Sequence, residues 1–245
     1  IFMFHEISNN PSSYQIEKSL NIKIETFINQ IDFIKNNFNI INPKDLLINK
    51  IPDNAALISF DDGFYGSINN AVPILEDKKI HSIHFLNSDS LYKKINIGGL
   101  QSFIKKNRHI VKKYSILGKD NLSFNYNEKI HDIFDQKDFQ KITNYTGRFI
   151  TQTELLPFVE KYKYFYIGNH LTNHYNSIKI GKENLLKSYN ICNYELSKYK
   201  NNLNFFSYPY GQNNIHYNKI TNDFIKKKLS NFIFSANPIN YNIHS

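Results

Sequence analysis

The sequence predicts an α/β protein in which parallel strands, each followed by a helix, close into a (β/α) barrel. Three observations predict this fold. The chain has 245 residues, a length that suits one large domain. Short apolar runs of strand length recur along it, and the segments between them carry apolar residues at helical spacing. Polar residues able to perform chemistry follow several of these runs, which is where a parallel barrel forms its site.

The predicted strands are short apolar runs, each of the length of a buried strand. In chain order they cover residues 1–4, 55–60, 80–86, 164–167, 203–208 and 231–235. Because a sheet with helices on its outer face buries both faces of each strand, such runs are apolar throughout instead of alternating. The runs therefore favour a parallel sheet over an antiparallel one.

The predicted helices lie between these runs, where apolar side chains recur at steps of three and four residues. The first helix is indicated by Phe27, Ile28, Ile31 and Ile34. A later helix is indicated by Leu185, Tyr189, Cys192, Leu196 and Tyr199. Strand and helix thus alternate along the chain, as a barrel of this kind requires.

One stretch, residues 88–148, breaks this alternation. It is polar and rich in Lys and Asn, with amphipathic pieces at about residues 100–117 and 128–142. We expect a helical insertion within one domain that covers residues 1–245. Because the insertion follows a predicted strand, we expect it to form a lid or a substrate wall and not a separate domain.

The chain is basic, with a net charge of +9, which suits an anionic partner such as a phosphate, an acidic glycan or a nucleic acid. Its only arginines, however, are Arg108 and Arg148. Nucleic-acid readers usually concentrate arginine, so we expect no nucleic-acid partner. The short run of lysines at 226–228 is typical of the solvated face of a helix.

Cysteine content and hydropathy bear on the compartment. The single Cys192 excludes an internal disulfide. No run of 18 apolar residues exists, and the opening IFMF is too short for the core of an export signal. We therefore expect no membrane-spanning segment and favour a cytoplasmic enzyme. Because the chain begins without Met, an exported protein whose signal was removed is the alternative.

Polar residues cluster at the carboxyl ends of the predicted strands, where the strand ends of a barrel share one pocket. Adjacent acids before a glycine are ordinary turn residues when taken alone, but here several strand ends carry such residues. The strand-end residues are His5, Asp61, Asp62, His170, Pro209, Tyr210 and Gly211.

Two histidines, His170 and His174, lie four residues apart in the segment GNHLTNHY, so both rings can reach one point. Two such histidines are polar turn residues in many proteins. With the aspartate pair upstream, they favour a divalent metal site of the zinc type, because imidazole and carboxylate are its ligands. Only one of Asp61 and Asp62 is needed as a ligand, which leaves the other free to act as a general base.

These residues match a family. FDDG at 60–63, HLTNH at 170–174 and SYPYG at 207–211 resemble, in order and strand placement, the motifs of the polysaccharide deacetylases. This family is the NodB homology domain of carbohydrate esterase family 4. FMFHE at 2–6 resembles the Tyr-His opening of many members. The resemblance implies a distorted (β/α) barrel that hydrolyses N-acetyl, and in some members O-acetyl, groups on sugars with a divalent metal.

Carried over by position, the resemblance implies that Asp61 is the general base. It implies that Asp62, His170 and His174 are the metal ligands, with Zn²⁺ as the expected ion. Tyr210 would form part of the substrate groove, and its backbone N–H would serve the oxyanion. The residues expected to contact substrate or to position the base are Ser207, Pro209, Tyr210 and Arg148.

The chain departs from the family pattern at two places. Leu171 stands where members often have Ser or Thr after the first metal histidine, which removes a hydroxyl that could steady the loop. Ser207 stands where many members carry an arginine that orients the base. Either Arg148 substitutes for this arginine or nothing does.

The catalytic acid, a histidine near the last strand in many members, has no clear counterpart. The candidates are His5, which ends a predicted strand, and His244, the penultimate residue, where a frayed tail is the ordinary expectation. We expect His84 to be a core histidine. The remaining histidines, expected at the surface, are His81, His109, His131 and His216.

These observations predict a metal-dependent hydrolase of amide bonds, a bacterial N-deacetylase acting on a cell-surface polysaccharide or on its precursor. One alternative keeps the metal site but transfers the acyl group, or releases a different acid such as formate. Another is a glycan-binding protein that has lost catalysis, although four intact site residues speak against it. Nucleic-acid binding is motivated only by charge and aromatic content.

Overall fold

The computed structural model describes residues 1–114, 134–230 and 232–236. Its strands are β1 (Phe2–Phe4), β2 (Glu6–Ile7), β3 (Asn21–Ile22), β4 (Asn39–Ile40), β5 (Ala55–Ala56), β6 (Ile58–Phe60), β7 (Ser82–Leu86), β8 (Phe165–Asn169), β9 (Asn202–Ser207) and β10 (Phe232–Phe234).

Its α-helices are α1 (Ser13–Glu17), α2 (Ile24–Asn37), α3 (Tyr65–Asn69), α4 (Ala71–Asp77), α5 (Ile97–Lys106), α6 (Arg108–Lys113), α7 (Gln136–Thr146), α8 (Gln152–Lys161), α9 (Gly181–Leu196) and α10 (Lys219–Lys228). Two 3₁₀ helices cover Pro43–Ile48 and Ser88–Tyr92.

The main sheet has six strands in the order β1-β6-β7-β8-β9-β10, and every neighbouring pair is parallel. Each predicted apolar run overlaps one of these strands, so the prediction of a parallel sheet is confirmed. The sheet curls into a distorted barrel with β1 and β10 at its edges. Two small parallel pairs, β2 with β3 and β4 with β5, lie outside it.

Both faces of the sheet are covered, as strand β7 illustrates. All five of its residues are buried. Ile83 and Phe85 point into the barrel, where they pack with other apolar side chains such as Phe205. His84 points to the opposite face, where its ring stacks on Phe60 at 4.3 Å. The prediction that His84 is a core histidine is thus confirmed.

The helix faces expected from the spacing are the buried ones. In α2, Phe27, Ile31 and Ile34 are buried, and Phe27 lies edge-on to Phe4 with ring centroids 5.2 Å apart. In α9 the buried residues include Leu185, Tyr189, Cys192 and Leu196. Tyr199 is buried just beyond the end of that helix.

The segment 88–148 is helical where the structure describes it, as expected. It contains the 3₁₀ helix Ser88–Tyr92 and helices α5, α6 and α7. Residues 115–133, which include His131 and parts of both predicted amphipathic pieces, lie outside the described residues. Apolar residues of this segment form a small core of their own, which includes Leu100, Phe103, Ile110 and Ile142. Its role as a lid or wall of a single domain stays a prediction.

A helix that crosses a lipid bilayer must be both long and apolar. Among residues 1–114, 134–230 and 232–236, no helix combines the length and the apolar character needed to cross a membrane.

Candidate metal centre

The site lies at the carboxyl ends of the sheet, in the turns after β6, β8 and β9. Each turn contains a non-glycine residue in the left-handed region, with φ of 73° at Asp62, 66° at Leu171 and 64° at Tyr210. This conformation costs a non-glycine residue about 1 to 2 kcal/mol. Strain of this kind concentrates at functional sites, where the surrounding structure enforces it. Three such turns at one end of the sheet therefore indicate a site.

Asp62, His170 and His174 converge at this end of the sheet. The Oδ1 atom of Asp62 lies 3.4 Å from Nε2 of His170 and 3.1 Å from Nε2 of His174. All three residues are buried, and their potential ligand atoms lie within 4.8 Å of one another. The structure thus brings together the three residues that the resemblance implied as metal ligands.

Hydrogen bonding prepares His170 to be a ligand. Its Nδ1 lies 2.8 Å from the backbone oxygen of Ser207. Because a carbonyl oxygen only accepts, Nδ1 must donate, which leaves the lone pair of Nε2 facing Asp62. Neither this Nε2 nor Oδ1 of Asp62 makes a hydrogen bond within the described residues.

These unpaired atoms are evidence that the donor set fits a metal ion. Buried polar atoms are normally paired, because an unpaired one loses its hydration without compensation. Here Oδ1 of Asp62 and Nε2 of His170, donors of the kinds that zinc takes, lie 3.4 Å apart without hydrogen-bond partners, and Nε2 of His174 lies 3.1 Å from the same oxygen. We conclude that the residues present fit a divalent cation.

The charges of the site also favour a bound cation. Burial works to raise the pKa of Asp62, but the neighbouring His174 and His170 hold it well below its usual range. Burial works to lower the pKa of His170, but Asp61 and Asp62 raise it. The Asp62 carboxylate therefore stays ionised, and its negative charge is available to a cation.

Asp61 has its own partner. The hydroxyl of Ser207 donates a hydrogen bond to Oδ2 of Asp61 at 3.1 Å. Ser207 therefore holds the aspartate through its side chain and His170 through its backbone oxygen. A serine hydroxyl is thus hydrogen-bonded to Asp61 at the position where the family pattern has an arginine.

The interpretation of Arg148 as the partner of Asp61 is corrected. Its guanidinium binds Glu154 and lies over the ring of Tyr65, 3.6 Å from the centroid. Arg148 lines a different cavity, between the segment after β2 and helix α7. The cation–π contact and the ion pair explain its position, since both partners lie on that side of the molecule.

The loop that carries both histidines is held without the hydroxyl that Leu171 replaces. The Leu171 side chain is fully buried, and its N–H donates to Oδ1 of Asn169 at 2.8 Å. The hydroxyls of Thr172 and Ser188 lie 2.8 Å apart. Oδ1 of Asn173 accepts from the N–H of His174 at 2.9 Å and equally from the first residue of α5. The buried Leu171 side chain and these hydrogen bonds therefore hold the loop without a hydroxyl at position 171.

A cavity of about 780 Å³ opens above the centre. Asp61, Asp62 and His174 contribute to its lining, and His5 lies in the wall as expected. Tyr210 also lines it, with its ring edge-on to His174 at 4.1 Å. Residues of α5 in the wall, which belong to the predicted insertion, are Ile97, Gly98, Gln101, Ser102 and Lys105.

Two further expectations have different outcomes. Pro209, expected to contact substrate, is buried and does not line the cavity, so this expectation is corrected. The reason is that the turn after β9 presents its next residue, Tyr210, to the cavity. His244, one of the two candidates for the acid, lies outside the described residues.

Sequence reasoning missed several residues of the wall. His216, expected at the surface, is half-buried and stacks on Tyr210 with ring centroids 4.7 Å apart. Burial lowers the pKa of His216. Tyr14 is only 5% exposed, and burial, followed by the charge of Asp62, raises its pKa. No local pattern marks either residue. Lysines of the wall are Lys18, Lys105 and Lys179.

Comparison with solved structures confirms the fold. IcaB from Ammonifex degensii superposes with a TM-score of 0.57 at 15% identity, over 96% of this chain and 82% of its own. The de-N-acetylase from Aggregatibacter actinomycetemcomitans gives a TM-score of 0.61 at 16% identity, over 96% and 86% of the two chains. The deacetylase domain of BpsB from Bordetella bronchiseptica gives 0.53 at 14%, over 97% and 89%.

The chain therefore has the α/β fold of the polysaccharide deacetylases, and the resemblance inferred from its motifs is confirmed at the level of the fold. The sequence matches no family model. It matches no curated protein either. Sequence identity to the solved structures is low, so the functional assignment depends on the site geometry described above.

Proposed function

We propose that the protein is a metal-dependent N-deacetylase that hydrolyses an acetamide on a sugar. One observation carries this proposal. Three buried residues with converging ligand atoms, Asp62, His170 and His174, lie beside a fourth, Asp61, below an open cavity. The fold, shared with deacetylases, supports the same reaction.

Asp62, His170 and His174 would hold the metal, and their nitrogen and oxygen donors favour Zn²⁺. When bound, such an ion polarises a carbonyl and makes water a stronger acid. The protein contributes the orientation of its ligands. Ser207 sets the tautomer of His170, and the amide of Asn173 holds the backbone of His174.

The remaining residues divide the proton transfers. Asp61, oriented by Ser207, takes the proton of the attacking water as that oxygen bonds to the acyl carbon. The backbone N–H of Tyr210, which has no acceptor among the residues described, would donate to the oxyanion. The C–N bond then breaks, and His5 gives a proton to the leaving amine. The products are acetate and a free amino sugar.

We propose as substrate an N-acetylated sugar unit of a cell-surface polysaccharide or of its precursor, in a bacterium. The relatives in fold are named as polysaccharide deacetylases and de-N-acetylases, and their named sources are bacteria. The cavity is large enough for a sugar ring, since ligand pockets of about 300 to 1,000 Å³ hold small molecules. The assignment to the cytoplasm stays a prediction.

Replacement of the base tests the reaction. We expect Asp61→Asn to lower acetate release from N-acetylglucosamine oligosaccharides by at least about 10²-fold, because the amide cannot accept the proton of water. We expect zinc content to be unchanged, since Asp61 is not a proposed ligand. Asp53→Asn, in an exposed loop, is the matched control.

Acetate and formate would be measured together in this assay, which separates deacetylation from release of another acid. An Asp61→Asn protein with full activity would refute the role of Asp61. A wild-type protein with zinc bound but without acid release from any N-acylated sugar would refute the proposed hydrolysis.

A further inference from the structure

The hydroxyl of Tyr14 faces the cavity above the candidate metal centre. Tyr14 lies in helix α1, is only 5% exposed, and lines the cavity together with Asp61, Asp62 and His174. In the described part of the chain its hydroxyl has no hydrogen-bond partner. Buried tyrosine hydroxyls usually find one. This hydroxyl is therefore available to a molecule bound in the cavity.

A glycine keeps Tyr14 close to the centre. Gly98 lies in the first turn of α5, and a Cβ at this position would be 2.9 Å from the Tyr14 hydroxyl and 3.3 Å from Nδ1 of His174. The hydroxyl and the imidazole thus approach the same backbone position. A larger residue there would push one of them away, since real Cβ contacts are almost never that short.

The predicted insertion holds Tyr14 in this position. The hydroxyl of Ser12, the N-cap of α1, donates to the backbone oxygen of Thr146 in α7 at 3.0 Å. The ring of Tyr14 packs on Tyr145 of the same helix, with centroids 6.1 Å apart. At the other end of α1, Glu17 accepts from the Tyr145 hydroxyl at 2.7 Å and pairs with Lys106. Contacts at both ends therefore fix the direction of the hydroxyl.

We propose that Tyr14 donates a hydrogen bond to the acyl oxygen of the molecule bound at the centre. This inference rests on the proposed function and assigns a second donor to the same site. As water adds to the acyl carbon, the carbonyl oxygen gains the electron pair of the double bond, and it returns this pair when the C–N bond breaks. Tyr14 stabilises the transient negative charge and keeps its own proton throughout. The product carboxylate offers the same acceptor.

Tyr14→Phe removes the hydroxyl and keeps the ring that packs on Tyr145. We expect kcat for acetate release from N-acetylglucosamine oligosaccharides to fall about 10² to 10³-fold, as for the loss of an oxyanion donor. We expect the affinity of the zinc-loaded protein for acetate, measured by calorimetry, to fall about tenfold. Zinc content should not change. Tyr194→Phe, which removes the hydroxyl of an exposed tyrosine of α9 outside the cavity, is the matched control.

The two measurements separate this inference from the proposed function. Equal acetate affinity of wild type and Tyr14→Phe, or no binding of acetate to either, would overturn the role of Tyr14. Weaker acetate binding by Tyr14→Phe, in a protein that releases no acid from any sugar tested, would support the donor and overturn the hydrolysis. A similar loss in Tyr194→Phe would show that the loss does not come from the hydroxyl in the cavity, and would overturn the inference.

Discussion

At the scale of single residues, Ser207 contacts both a proposed metal ligand and the proposed base. Its backbone oxygen sets the tautomer of His170, and its hydroxyl orients Asp61. Arginine at this position would add a positive charge beside both carboxylates. The neutral hydroxyl of Ser207 contacts Asp61 without adding a positive charge that would repel a cation.

Ser207→Ala separates these two contacts, because it removes the hydroxyl and keeps the backbone oxygen. We expect kcat to fall by about 10 to 10²-fold, since a hydrogen bond to a charged group contributes about 1.5 to 3 kcal/mol. Zinc content should be unchanged. Steady-state acetate release and elemental analysis check both points. Ser197→Ala, at the exposed end of α9, is the control. Loss of zinc in Ser207→Ala would contradict the assignment of the His170 contact to the backbone.

At the scale of secondary-structure elements, strand β7 carries a histidine in the core. Burial lowers the pKa of His84 to about 3, and the ring is stacked on Phe60 with one nitrogen 3.1 Å from the hydroxyl of Ser82. The folded protein therefore keeps this histidine neutral. The unfolded chain, with an ordinary pKa near 6.5, binds a proton as soon as the pH falls below that value.

This difference predicts an acid-sensitive stability. The contribution of His84 is complete above about pH 6.5 and is lost between pH 6.5 and pH 3, by about 1.4 kcal/mol per pH unit. We expect wild type to lose about 2 kcal/mol more than His84→Phe between pH 7.5 and pH 5 in urea unfolding. His109→Gln, at the surface, should behave as wild type. Equal pH dependence of wild type and His84→Phe would contradict the buried neutral state.

Helix α5 brings the predicted insertion to the site through its first turn, and Gly98 is the point of contact. We expect Gly98→Ala to lower kcat/KM by at least about tenfold, because the added methyl group displaces the Tyr14 hydroxyl or His174. The control is Asn49→Ala. Asn49 is exposed, has a φ of 52° and does not line the cavity, so this change strains the backbone away from the cavity. It should reduce stability without reducing activity, and thermal unfolding with acetate release would distinguish the two variants.

At the scale of the whole molecule, a bound ion would couple distant turns. Asp62 follows β6, whereas His170 and His174 follow β8, so one ion would link turns that strand β7 separates in the sheet. A ligand that binds only the folded state stabilises it, by about 2.7 kcal/mol at a free concentration 100 times its Kd.

We therefore expect zinc to raise the melting temperature of the metal-free protein, and elemental mass spectrometry to find one ion per chain. The double variant His170→Ala/His174→Ala should lose both effects. The matched control is His81→Ala/His109→Ala, which removes two histidines outside the candidate centre. No ion in the wild type, or equal stabilisation of the double variant, would contradict the metal site.

Much of the fold and of the candidate centre could be predicted from the sequence. The apolar runs indicated all six strands of the main sheet, because burial on both faces requires apolar residues throughout. Asp61, Asp62, His170 and His174 were found because each follows a strand, and the carboxyl ends of parallel strands share one edge. Local pattern and topology suffice for residues placed in this way.

The other contacts of the site were decided by tertiary structure. Ser207 reaches Asp61, Tyr14 approaches Gly98 and His174, and Arg148 binds Glu154 away from the centre. Neither Tyr14 nor Arg148 belongs to a motif, and the SYPYG motif does not show that the Ser207 hydroxyl reaches Asp61. Their contacts depend on how turns and the helices of segment 88–148 pack in space. Residues far apart in sequence meet there only after the sheet has formed, so the motifs located the centre but packing selected its other partners.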